Sequence, residues 1–182
     1  MGLLNLLSDL RNPTRMWIEN PRLPLEFDFS KNELNGIGLG EAIDKLSFLG
    51  KAAQWKPSLA YPQKGIAVDY DNDCIEGFLL NFSTDSADGF ERFPGQLWFK
   101  NREVRLTEVI GEQNVLDVFG QPYWIDRDDV ETILFYEFNG IEWQLELSKT
   151  GFLQAVIVTA SPLLAREDQR KAYGVSKPWP PH

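Results

Sequence analysis

The chain has 182 residues, a formal net charge of −9, 43% hydrophobic residues and 25% charged ones. So much apolar material supports a packed core and excludes a disordered chain. The acid excess repels phosphate backbones and anionic lipid, so neither nucleic acid nor a membrane surface is expected as a partner. Cys74 is the only cysteine, so no disulfide forms within the chain, which fits a reducing compartment. The start MGLLNLL lacks the basic residues of a secretory leader, and no apolar run has the length of a membrane span. A cytoplasmic protein is the expectation.

In chain order, residues 1–22 read as a short helix over 3–10 followed by a proline-punctuated extension. Residues 25–29 alternate as a strand. Leu39, Ile43, Leu46 and Leu49 then recur with helical period, and Gly50 stands where a left-handed residue ends a helix. Residues 64–70 and 75–82 read as strands joined by a turn at 71–73, and 83–94 as a linker rich in Ser, Asp and Gly.

The same order then returns. Residues 97–99 read as a strand, and Val109, Leu116 and Phe119 share a helix face that Gly120 and Pro122 close. A strand at 133–138 meets Asn139-Gly140, the pair best suited to a type I′ hairpin because both central residues need positive φ. Alternation resumes at 141–147, turns at 148–151 and continues through 152–159. Ser161-Pro162 offers an N-cap and a first-turn proline for a helix to about residue 173, and 177–182 is proline-rich tail.

A helix, its stop glycine and a Gly-Ile strand start occur twice in the same order. This predicts an α+β fold of two β-α-β-β-β repeats, 23–82 and 95–160, forming antiparallel sheet with helices packed on one face. The N-terminal segment 1–22, the linker 83–94 and a C-terminal helix and tail at 161–182 complete one cooperative unit. Leu49-Gly50 with Trp55, and Phe119-Gly120-Gln121-Pro122 with Trp124, resemble the unit of SmpA/OmlA-type small lipoproteins. The tandem arrangement is similar to that of the β-lactamase inhibitor proteins. The resemblance implies a curved sheet that grips another protein. Cys74 alone supplies neither a lipobox cysteine nor the inhibitors' paired cysteines.

Catalytic groups are sparse. The one histidine, His182, is the last residue, so triads, Cys–His dyads and histidine metal sites lack their central member. Residues 69–74 open like a calcium loop, but its sixth and twelfth positions are Cys74 and Leu80 rather than glycine and glutamate. Gly36, Gly38 and Gly40 precede a helix without the spacing of a phosphate loop. No catalytic residue, metal or cofactor is expected.

What stands out is parity. Ile66, Val68 and Tyr70 match Ile141, Trp143 and Leu145, leaving Asp69, Asp71, Glu142 and Glu146 on the opposite face. The expected function is a non-enzymatic protein-binding module, an inhibitor or toxin-immunity protein, that meets a basic protein partner with these four acids. The alternative is a small-molecule binder or carboxylate-dependent enzyme with its site between the repeats.

Overall fold

The computed structural model describes residues 12–84, 86, 88–106 and 111–175. The helix read at 3–10 and the tail at 177–182 lie outside the described residues. The first half forms β1 (Glu26–Asp28), β2 (Glu33–Leu34), β3 (Ile37–Gly38), a 3-10 helix (Ile43–Leu49), β4 (Leu59–Tyr61), β5 (Ile66–Asp71) and β6 (Cys74–Asn81). The second forms β7 (Gln96–Phe99), β8 (Arg102–Val104), α1 (Glu112–Phe119), β9 (Trp124–Arg127), β10 (Glu131–Phe138), β11 (Ile141–Ser148) and β12 (Leu153–Thr159). A last helix, α2 (Glu167–Ala172), follows.

The expected α+β layering, with helices covering one face of a sheet, is not what forms. The protein is mostly β, and no described helix exceeds eight residues. One sheet has seven antiparallel strands in the order β4-β5-β6-β12-β11-β10-β9, and a mixed sheet of five runs β3-β2-β1-β7-β8. The reason lies in the approach to the first helix. Gly40 donates its N–H to the Ile75 carbonyl (2.7 Å), Ile75 donates to that of Glu41 (2.8 Å) and Ala42 bridges Cys74, so 40–42 pair with the start of β6 instead of coiling. Residues 33–38 and 102–104, which carry no strand pattern of their own, complete the smaller sheet. At the other end Ser161-Pro162 starts no helix, and 161–166 cross the large sheet in turns before α2 begins.

Turn chemistry sets the hairpins. Asn139 (φ 52°) and Gly140 (φ 80°) supply the two positive angles of a type I′ turn between β10 and β11, and Asn72 (φ 48°) and Asp73 (φ 61°) do so between β5 and β6. Each sheet takes strands from both halves: β6 pairs antiparallel with β12, and β1 pairs parallel with β7. The sequence-matched strands β5 and β11 lie symmetrically about the β6–β12 pair.

The two sheets bury their facing sides against each other. Phe27, Phe29, Leu97 and Phe99 come from the small sheet and its ends, and Phe78, Leu80, Trp143, Leu145 and Val156 from the large one. Rings interlock edge-on, Phe27 on Phe78 at 5.6 Å and Phe99 on Trp143 at 5.9 Å, each such pair adding about 0.5–1.5 kcal/mol beyond its buried area. Leu46 and Leu49 of the 3-10 helix and Phe119 of α1 fill the ends of the same core.

The segment between the halves is fastened down. The Asn81 side-chain amide donates to the carbonyls of Ser83 (2.8 Å), Phe90 (3.2 Å) and Glu91 (2.9 Å), and Glu91 donates to the carbonyl of Pro62 (2.8 Å). Gly65 (φ 61°) lies beneath it: a Cβ there would stand 2.4 Å from the Phe93 nitrogen.

Candidate functional site

Because each sheet buries one side, each offers an open face, and the four acids expected to share a face belong to the large sheet. Asp69 is exposed on β5 opposite Gly77, and desolvation holds its carboxyl above the ordinary aspartate range. Asp71, also exposed, flanks the turn, paired with Cys74. Glu146 is half-buried on β11 between Ile133 and Ala155; burial, then the charge of Glu131, raises its carboxyl.

Glu142 is fully buried. It accepts from the Tyr123 hydroxyl (2.6 Å), the Gln144 amide (2.8 Å) and the Leu163 backbone N–H (3.1 Å). The C-terminal segment that supplies Leu163 covers this end of the face, with Leu164 buried and Tyr173 against Trp124. Burial and the bond to Glu142 both push the Tyr123 hydroxyl far above its usual value.

The structure therefore does not gather the four acids. Asp69 and Glu146 stand three strands apart and four residues out of step, about 20 Å. Paired carboxylates for glycoside hydrolysis sit within about 5–9.5 Å. Between them the face is apolar: Ala67, Leu79 and Ile157 form one cross-strand row that continues to Gln144, Phe135 and Trp124. Parity in β5 and β11 located Asp69 and Glu146. The intervening β6 and β12 set the character of the surface.

Acids do converge on the open face of the small sheet. Phe27, Leu34, Leu97 and Phe99 point inward, so strand alternation turns Glu26, Asp28, Glu33, Gln96, Trp98 and Glu103 outward. The register aligns Glu33, Asp28, Trp98 and Glu103 in one row across β2, β1, β7 and β8, about 14 Å long. A hollow of about 430 Å³ opens beside half-buried Trp98, with Glu26, Asp28 and Glu33 along it. Among the described residues Lys31 is the cation in that hollow. It pairs with Asp28 at 3.2 Å, and this bond and charge hold its ammonium above the usual lysine value. Among the described residues, no three His, Cys, Asp or Glu side chains gather as a metal set, and no helix is long and apolar enough to cross a membrane.

Sequence reasoning read β1 and β7 as strands but missed this row. Nothing local announces that they lie side by side in parallel, which is what brings Asp28 to Trp98. The outward positions Glu26, Asp28 and Trp98 were legible from alternation alone.

No protein-family model matches the chain, and no curated protein matches it. Among solved structures it is similar to a DUF4309 family protein (YjgB) from Bacillus subtilis subsp. subtilis str. 168, at 12% identity over 65% of this chain and 76% of that one. The TM-score is 0.44, a likeness too slight to carry an argument about fold or function.

Proposed function

We propose that this protein is a non-enzymatic binding module that captures a basic protein partner in the cytoplasm through the open face of its five-stranded sheet. The observation that carries the reading is the row Glu33–Asp28–Trp98–Glu103, an indole with carboxylates on both sides. An arginine or lysine laid over an indole gains about 0.5–2 kcal/mol from the ring's negative face, and carboxylates on either side hold the cation there. Trp anchored among rim charges is the usual make-up of an interface hot spot. The net charge of −9 steers a basic partner toward the molecule and accelerates encounter. Neutralising a basic enzyme or toxin, as an inhibitor or immunity protein does, suits such a face.

The test compares the wild-type protein with the triple variant Glu33→Lys, Trp98→Ala, Glu103→Lys as bait in native lysate at low salt, with captured proteins identified by mass spectrometry. Association rates are then measured for what the wild type retains. The reading expects a basic partner lost from the variant and an association rate that falls steeply with salt. Equal capture by both baits, with the same salt dependence, overturns it.

A further inference from the structure

The second open face carries a feature of another kind. A groove of about 700 Å³ crosses the large sheet between the loop before β4 and the fastened segment after β6, a volume typical of small-molecule sites. Its floor is low and apolar. Ala60, Ala67 and Leu79 lie side by side in one cross-strand row, and in the next Ala155 separates Asn81 from Glu146. The alanines on β4, β5 and β12, with Leu79 of β6 among them, leave a channel that an alkyl chain can fill.

The charge in this channel is one-sided. Among the described residues that line it there is no Lys, Arg or His, and the ionisable ones are Glu146 and Asp88. Among the described residues, Glu146 meets no cation and its carboxylate accepts no hydrogen bond, and Glu131 is the charge nearest it in effect. A half-buried carboxylate with a like charge beside it is unfavourable, and a bound cation relieves both penalties. The wall is preformed too, since the three Asn81 hydrogen bonds hold it in place, so little ordering is needed on binding.

We propose that this groove is a binding site for an aliphatic ammonium, its stem along Ala67, Leu79 and Ala155 and its head at Glu146. From Glu146 to Leu79 is two strands and two residues along, about 12 Å, which suits a stem of several methylenes. The required chemistry, a cationic head on an apolar stem, is shared by a free alkylamine and by a lysine side chain on a peptide.

The experiment titrates hexylammonium, methylammonium and hexanoate into the full chain at low salt, following the methyl resonances of Leu79 and Ala155 and the heat of binding. Hexylammonium is expected to saturate in the millimolar range or tighter, methylammonium at least tenfold more weakly, and hexanoate not at all. Each added methylene in the series is expected to tighten binding by up to about fourfold, the factor for complete burial of one CH₂. Glu146→Gln, nearly isosteric, should weaken hexylammonium at least tenfold, and Ala155→Leu, which fills the floor, should do the same with the carboxylate intact. Acetyl-Ala-Lys-Ala-amide is then added as competitor: displacement of hexylammonium assigns the site to a lysine side chain, and no displacement assigns it to a free amine. No saturable response to hexylammonium, equal affinity for hexanoate, or affinity unchanged in Glu146→Gln overturns the proposal. These residues are on the other sheet from Trp98, so its failure leaves the acidic row untouched.

Discussion

Trp143 is the side chain on which the packing of the two sheets most depends. It is 4% exposed, and its indole meets the rings of Phe29 (5.5 Å), Phe119 (5.6 Å) and Phe99 (5.9 Å). Its N–H donates to the Asn32 side-chain carbonyl at 2.6 Å, and Asn32 is itself buried, in the turn after β1. Trp143→Ala removes the ring from a space bounded by both sheets, at about 3–5 kcal/mol, and strands the Asn32 carbonyl, at about 1–3 kcal/mol more. Partial collapse of the site makes the two less than additive, so the expected loss is about 4–6 kcal/mol. A domain of ordinary stability has only about 5–15 kcal/mol, so a milder series is also needed. Trp143→Phe keeps a ring and gives up the donor. Asn32→Gly gives up the acceptor and tolerates the backbone, because Asn32 has φ 59°. Urea unfolding followed by circular dichroism should give a coupling of about 0.5–1.5 kcal/mol in the double-mutant cycle. A Trp143→Ala loss under about 1 kcal/mol, or an additive cycle, would show that the core does not close around this indole.

Two further outcomes are expected. Gly65→Ala places a methyl 2.4–2.7 Å from backbone atoms of residues 91–93, whereas Gly140→Ala meets nothing within 4 Å; thermal melts should show a loss of about 1–2 kcal/mol for Gly140, the cost of positive φ alone, and a clearly larger one for Gly65, and equal losses would contradict the close approach. Glu146, raised by burial and by Glu131, holds its proton more tightly folded than unfolded, so the penalty it imposes is present at neutral pH and vanishes below its unfolded value. Glu146→Gln should therefore be more stable than wild type at pH 7, with the gap closing as pH falls through the carboxylate range, and a gap that widens on acidification would reverse the assignment.

Strand placement and hairpin chemistry were legible because their causes are local. Asn139-Gly140 dictates its own turn, and strict alternation in 141–147 puts Trp143, Leu145 and Leu147 inside whatever they pack against. The 3.6 spacing at 39, 43, 46 and 49 misled in part. The apolar positions are indeed inward, but pairing of residues 40–42 with β6 takes the first turn away, and a non-local hydrogen bond has no signature in a window of ten residues. The second sheet escaped for the same reason, since β2, β3 and β8 are two or three residues long and exist because β1 and β7 offer edges. Glu142 is the sharpest case. By parity it belongs outside, and it is buried because the segment at 163–164, which begins 21 positions later, lies over it.

The crossing of strands between halves bears on how the chain is made. When residues up to about 95 have emerged from a ribosome, β1 and β6 are complete and each presents a bare edge, because β7 and β12 have not yet come out to pair with them. Those edges accept the second half of any copy of the chain, not only their own. Neighbouring nascent chains on one message can therefore exchange halves through the segment after β6, giving an intertwined pair with every native strand contact. The Asn81 anchor, which turns that segment back toward Pro62, favours closure within one chain by keeping the second half close to the edges it must fill.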